Sequence, residues 1–388
     1  MGSPGACGLL GRELETVIAA AHAPDADRGT IAFGERLLTL LDLGSFTATY
    51  KYAVLLALID LCLEQSDGAG GAPTVLTTRQ LAHKTVELYW GHTIPFISPA
   101  GEHILRQSTG GQAQILGLIA RFREREVGDP FTTLAEARSR DPRAFQRLVE
   151  AVEWKLIEMP LPRLQMVGTR HEPFVYQIGW EVGVIRRAAG GPDFDNRIHL
   201  LHGAGDHLVR LAGLLRPLVQ REWASMVARL NREMVEESRL EEFLFGTPRI
   251  RLDRVRAPLR DLQEGRCFYC EQLMSGPVEV DHFVPWTRYP DNGLDNLVLS
   301  DRRCNNAKRN FLPAVEHVER WRARSIPGSP SAEIIRRVEQ DTGWERHPGR
   351  TLSVARAIYL RLPAHAKLWV APDEFADADR AALASALA

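Results

Sequence analysis

The sequence predicts a mainly helical chain with one small strand-containing unit embedded late in it, α+β overall. Three observations lead there. Apolar residues recur at helical spacing through most of residues 1–246 and again after 312. Short apolar runs bounded by turn residues cluster at 266–308. Five arginines fall between Arg249 and Arg260, a change in composition that sets a boundary near 247.

Taken in order, the periodic stretch FGERLLTLLDL (33–43) and then ATYKYAVLLALIDLCLEQ (48–65) predict two helices. SDGAGGAP (66–73) predicts a loop. In VLTTRQLAHKTVELYW (75–90), Thr77 or Thr78 is suited to cap a helix starting near Arg79. Leu81, Ala82, Val86 and Tyr89 give that helix its apolar face. A long helix, a loop and a Thr-capped helix also suit a winged-helix-like or helix-turn-helix element over 48–125, with an ordinary bundle as the plainer reading. Arg106, Arg121, Arg123 and Arg125 would lie near a DNA-facing side, but Glu124 and Glu126 alternate with them as on a solvated face. Helix is expected at 134–156, strands at 163–168 and 173–180, and a long helical region at 205–243. Helical patterns return at 313–324, 331–341 and 350–361, with the apolar residues around Tyr359 docking back on the body. The Ala-rich acidic end, 372–388, predicts a weak helix or a frayed tail.

Composition narrows the function classes. A formal net charge of −1 over 388 residues gives no global attraction to polyanions, so any such surface is local. Cysteine usage is sparse and uneven, with Cys267, Cys270 and Cys304 together and Cys7 and Cys62 alone. That is not a secreted disulfide framework. The start MGSPGACGLLGRELE has no basic and then apolar leader pattern, so no signal peptide is expected. The longest apolar run, 52–63, is too short to span a bilayer and contains Asp60. A cytoplasmic protein without membrane contact is expected.

The informative stretch runs from Cys267 to Lys308. VDHFVPW (280–286) puts Asp281 and His282 in an apolar strand that stops at Pro285. An ionisable pair there is costly without a task. Hydrolysis of a phosphodiester would supply one. A histidine near its ordinary pKa can take a proton from water at neutral pH. Hard oxygen donors can hold a divalent cation that neutralises charge on phosphorus and the leaving oxygen. Adjacent strand residues face opposite ways, so distortion near Pro285 is needed to bring both side chains to one cleft.

The ordered set Cys267-x-x-Cys270, Asp281-His282, Asn296, Asp301, Cys304-Asn305-x-x-Lys308 resembles the HNH endonucleases, the ββα-metal nucleases, over about 252–312. The resemblance implies a ββα-metal module within the helical chain. It implies that His282 is the general base, and that Asp281 and Asn305 hold a catalytic Mg²⁺ or Mn²⁺. It implies that Asn296 orients the loop carrying His282 and that Lys308, one turn after Asn305, contacts a phosphate. Asn at the last motif position favours an oxygen-preferring ion such as Mg²⁺. Relatives with structural zinc carry two CxxC pairs, and here Asp301 stands where the fourth cysteine would be. Cys267, Cys270, Cys304 and Asp301 could hold Zn²⁺. The thiols could equally pack as core, or zinc could take another fourth ligand. Arg302, Arg303 and Arg309 are expected to contact phosphates. Three segments are expected: a helical recognition or partner-binding module at 1–246, the nuclease domain at 247–325 and a helical extension at 326–388. The resulting expectation is an endonuclease acting on double-stranded DNA, of the restriction or phage-defence type. Its rivals are a nucleic-acid-binding scaffold with a silent HNH fold and an RNA-cleaving toxin. A protein partner or self-association remains compatible with the helical module.

Overall fold

The computed structural model describes residues 28–44, 47–98, 101–126, 132–167, 169–184, 191, 193–232, 237–246, 252–363 and 365–388. The expected boundary near 247 lies outside the described residues. The chain opens with helix α1 over 28–43 and α2 (Tyr50–Glu64). Every residue from Tyr52 to Leu63 is buried, so α2 is packed on all sides and forms the axis of the helical module. Strand β1 (Val75–Thr77) leads directly into α3 (Thr78–Trp90). Thr77 and Gln80 form a reciprocal capping box there, satisfying backbone N–H groups that the first turn leaves open.

Hairpin β2 (Phe96–Ser98) and β3 (Gly101–His103) precede α4 (Gln114–Glu126), α5 (Leu134–Arg140), α6 (Pro142–Glu158) and the single turn α7 (Pro160–Arg163). Arg123 is buried, its guanidinium 3.8 Å from the Trp90 ring and its Nε donating to Thr93 Oγ1 at 2.7 Å. It is thus part of the core, whereas Arg106, Arg121 and Arg125 are exposed.

The strands expected at 163–168 and 173–180 are shorter than predicted. They reduce to β4 (Met166–Val167), β5 (Arg170–His171) and β6 (Tyr176–Ile178). The reason is Gln165, whose buried amide takes over backbone groups that a longer strand would pair. Its Oε1 accepts from Phe174 and Val175 N–H at 2.9 and 2.8 Å, and its Nε2 donates to the Tyr176 carbonyl at 2.8 Å. β7 (Arg197–Leu200) pairs antiparallel with both β1 and β6. The long α8 (Ala204–Leu230) and α9 (Glu237–Phe245) follow. Asp60 of α2 and Arg216 of α8 form an ion pair, both almost wholly out of solvent.

The second half begins with α10 (Asp253–Leu262), then hairpin β8 (Val278–His282) and β9 (Leu297–Asp301), then α11 (Arg302–Lys308). Helices α12 (Val315–Ala323), α13 (Pro330–Thr342) and α14 (Pro348–Tyr359) surround this unit. Of the two readings of 372–388, the helix is present at its end and the frayed tail is not. Strands β10 (Lys367–Ala371) and β11 (Glu374–Asp377) form a hairpin and α15 (Arg380–Ala386) closes the chain. Trp369 is buried, and its N–H and carbonyl bond Leu312 and Ala314. Asp379 caps α15, while Leu383 and Leu387 go into the core.

One continuous apolar cluster runs from α1 through the β8–β9 unit to α15. Polar contacts cross with it. Arg361 donates to the Gly70 carbonyl, Arg350 pairs with Glu87 at 3.0 Å and Tyr289 donates to Glu64. No described helix is long and apolar enough to cross a membrane. Removing one half of the Asp60–Arg216 pair leaves a buried charge alone. Arg216→Ala should therefore lose about 3–5 kcal/mol of stability in denaturant unfolding, and Asp60→Leu combined with Arg216→Met should lose less than either single change.

Candidate functional site

Strand β8 reads Val278-Glu279-Val280-Asp281-His282, and its regular antiparallel register with β9 runs to His282 opposite Leu297. The alternation of a strand therefore sends Glu279 and Asp281 to one face and His282 to the other, and the pairing is regular through His282, so the distortion expected to turn Asp281 and His282 into one cleft is not found within β8. Helix α11 packs on the first face, and the loop between the strands covers the second.

On the α11 face, Asp281 is mostly buried and fully engaged. Its Oδ2 accepts from the Tyr269 hydroxyl at 2.6 Å and lies 2.9 Å from Lys308 Nζ, and its Oδ1 accepts from the His282 N–H at 2.8 Å. Lys308 is wholly buried, and its ammonium also donates to the His282 carbonyl at 2.8 Å. Burial lowers the Lys308 pKa, against the pull of Asp281. The expected phosphate-facing lysine thus has protein partners in place of a solvent-facing position. One turn earlier, Asn305 donates its amide to Glu279 rather than contacting Asp281. No hydrogen bond joins Asp281 and Asn305 among the described residues.

Glu279 was not among the residues read from the sequence. The signal for it was present, since position −2 from Asp281 shares its strand face. Glu279, Asp281 and Asn305 each carry an oxygen donor of the class that Mg²⁺ or Mn²⁺ takes, with Asn305 turning its Nδ2 to Glu279. The donor chemistry fits such an ion, with the Lys308 ammonium as the competing partner of Asp281.

On the other face, His282 is buried, and its ring lies 5.3 Å from that of Trp286. Nε2 is 2.8 Å from Asn292 Oδ1. Burial lowers the His282 pKa, partly opposed by Asn292 and by the nearby Asp281, so the ring is neutral at pH 7. Asn292 was also missed, because nothing in an isolated loop asparagine marks its partner. Asn296 is completely buried. Its Oδ1 accepts from the Val284 N–H at 2.8 Å, and its Nδ2 donates to the Val284 and Asp291 carbonyls at 3.1 and 3.0 Å. One side chain thereby holds both ends of the loop that follows His282.

The thiols lie behind the hairpin. One donor atom each from Cys267, Cys270, Asp301 and Cys304 falls within 4.8 Å of the others. Glu271, at φ 57°, turns the chain back after the Cys267-x-x-Cys270 knuckle, and its N–H bonds the Cys267 carbonyl. Asp301 caps α11, accepting from the Cys304 N–H at 2.8 Å and from Cys270 Sγ at 3.3 Å. A hydrogen bond from Cys304 pulls Cys267 down to about 7, while the same contact pushes Cys304 up. Burial would raise Asp301, but the Cys304 N–H and the thiols hold it at about 2. Three thiols and one carboxylate gathered within 4.8 Å are a donor set that a tetrahedral zinc site can use.

Arg302 and Arg303 are exposed on α11, and Arg309 is exposed just past its end at φ 48°. Arg302 Nε lies 3.8 Å from Glu279. Arg254, from the arginine-rich stretch, pairs with Glu136 of the helical module at 3.4 Å, while Arg249 and Arg251 lie outside the described residues.

Residues 265–314 match the family model described as HNH endonuclease. This agrees with the resemblance carried by Cys267 to Lys308, and it suggests nuclease activity on nucleic acid. Residues 29–244, more than half of the chain, match the model described as Domain of unknown function (DUF8808), and the chain belongs to that family. No curated protein and no solved structure matches the chain.

If the thiol cluster holds zinc, the purified chain carries about one equivalent of it by elemental analysis. Cys304→Ser should then lose the metal and melt roughly 5 °C or more lower. Wild-type protein without zinc would leave the thiols as core.

Proposed function

We propose that this member of a family of unknown function is a metal-dependent endonuclease that hydrolyses phosphodiester bonds in double-stranded DNA. The observation that carries the reading is His282. It is a buried imidazole, its pKa held below the ordinary value by that burial, on the strand end that also carries Asp281, inside the segment that matches the HNH endonucleases.

A general base must be neutral at working pH and fixed in direction. Burial supplies the first condition, and the Asn292 contact with the Asn296-braced loop supplies the second. In the proposed reaction His282 accepts a proton from the water that attacks phosphorus. Asp281 and Asn305, with Glu279 beside them, are the residues that would hold Mg²⁺ or Mn²⁺. A divalent ion bound there would offset charge on the phosphate and the departing 3′-oxygen. Lys308 pairs with Asp281 and ties α11 to the strand end. Arg302, Arg303 and Arg309 would meet neighbouring phosphates, giving affinity without sequence preference. The four-ligand cluster at Cys267, Cys270, Asp301 and Cys304 would act as a structural zinc staple, and the hairpin with α11 would be the ββα module. The helical module would select the target or hold a partner. A role in restriction or phage defence rests on likeness of plan alone.

The test is cleavage of supercoiled and linear DNA, and of RNA, with Mg²⁺ or EDTA and with the ends mapped. Wild type should cut DNA only with the ion. His282→Ala should be slower by roughly 10²–10⁴-fold, with DNA affinity nearly unchanged. Full activity in that variant sinks the assignment of the base. An intact chain that binds DNA and never cuts it supports the silent scaffold, and cleavage confined to RNA supports the toxin reading.

A further inference from the structure

The HNH match ends at residue 314, yet the loop that faces His282 is held by side chains well beyond it. Asn292 sits in that loop between two buried aspartates, and each of them is tied to the segment 344–351. Asp291 accepts from the Gly293 N–H at 2.9 Å, from Thr351 Oγ1 at 3.0 Å and from Arg350 Nη2 at 3.3 Å. Asp295 accepts from Arg346 Nη2 at 2.9 Å and from the His347 N–H at 2.8 Å. The Leu294 N–H donates to the Glu345 carbonyl at 2.9 Å. Asn292 itself is fixed through its carbonyl, which accepts from Trp344 Nε1 at 2.7 Å.

These contacts leave the Asn292 side chain one main task. Its Oδ1 lies 2.8 Å from His282 Nε2. An amide oxygen can only accept, so Nε2 must carry the proton, and in a neutral ring Nδ1 then keeps its lone pair. Nδ1 has no hydrogen-bond partner among the described residues. Buried carboxylates bonded by arginine and backbone N–H groups make rigid anchors. The clasp is therefore built to hold one loop residue against one ring nitrogen.

We propose that Asn292 is the positioning residue that fixes the Nε2–H tautomer and the ring direction of His282, and that residues 344–351 form the clasp that keeps it there. The inference rests on the reading of His282 as the base. It adds that the segment after the HNH unit belongs to the working nuclease, although it contributes no reacting group. Arg350 also pairs with Glu87 of α3 at 3.0 Å, so the clasp is continuous with the helical module.

The test has two arms on the full-length chain. In single-turnover cleavage of a duplex oligonucleotide with Mg²⁺, Asn292→Ala should slow the cleavage step by roughly 10–100-fold. Its affinity for the same duplex in Ca²⁺ should not change. Asn292→Asp keeps an acceptor and should recover most of the rate. Trp344→Phe, which removes only the N–H aimed at the Asn292 carbonyl, should slow cleavage in the same direction and by less. In the second arm, ¹⁵N-histidine-labelled protein is examined by NMR at a pH where the ring is neutral. The His282 signals, assigned by their loss in His282→Ala, should report the Nε2–H tautomer in wild type and Asn292→Asp, and a tautomer mixture in Asn292→Ala. Unchanged cleavage and an unchanged tautomer in Asn292→Ala overturn the proposal, and an unchanged rate in Trp344→Phe overturns the clasp. The NMR arm needs no substrate. A fully active His282→Ala would fail the nuclease reading without deciding the tautomer, so the two failures can be told apart.

Discussion

A lysine ammonium with no access to water sits beneath the strand end that carries Asp281 and His282. A buried charge is tolerable only when it is paired and hydrogen-bonded. Lys308 meets that condition with the Asp281 carboxylate and the His282 carbonyl, and the Tyr269 hydroxyl completes the carboxylate's partners. The pair ties α11 to β8 at one point. Once it is in place, Asn305 lies one turn away beside Glu279, and the three oxygen-bearing side chains share a face. The geometry of the candidate site thus follows from a strand's alternation and one ion pair below it.

The rest of the unit supports that arrangement with little apolar material of its own. Phe283 stacks on Trp321 at 4.8 Å, and Trp321 Nε1 reaches back to the Asp295 carbonyl at 2.7 Å. Behind the hairpin the thiols and Asp301 gather where a metal staple would be most useful to a small core. Around it, α12 to α14 and the β10–β11 hairpin complete the packing that the matched segment lacks. The helical module contributes through Glu64, which accepts from Tyr289, and through Glu87, which pairs with Arg350.

Much of this was legible in the sequence, and what was not has physical causes. Helices α2 and α3 followed from apolar spacing, and the start of α3 from its threonine cap, because those signals are local, whereas the one helix expected at 134–156 is broken at Asp141, which caps α6 ahead of Pro142. The residues of the HNH resemblance were found by order and spacing, and Asn296 does bridge the backbone of the loop after His282. Directions of side chains were not legible. That Asn305 would turn to Glu279 and Lys308 to Asp281 depends on how α11 seats on β8, which spacing alone does not specify. The 344–351 clasp was invisible because it lies roughly fifty residues from the loop it holds, and Asn292 because nothing in an isolated loop asparagine marks His282 as its partner. The β10–β11 hairpin was obscured by an alanine-rich ending, although Pro372-Asp373 supplied a turn signal, with Asp373 at φ 67°. Gln165 shortened strands that the pattern had made longer, by taking backbone groups with its own amide.

The central claim is that a divalent ion is held by Asp281 and Asn305 on the α11 face of β8, and that His282, the last paired residue of the strand, reaches the same phosphate from past the strand end. Anomalous diffraction from crystals soaked in Mn²⁺ tests it most directly. The account predicts a manganese peak within bonding distance of oxygens from Asp281 and Asn305, with the Lys308 ammonium moved off the Asp281 carboxylate. A Lys308–Asp281 pair left intact, with manganese absent or bound elsewhere on the chain, would contradict it.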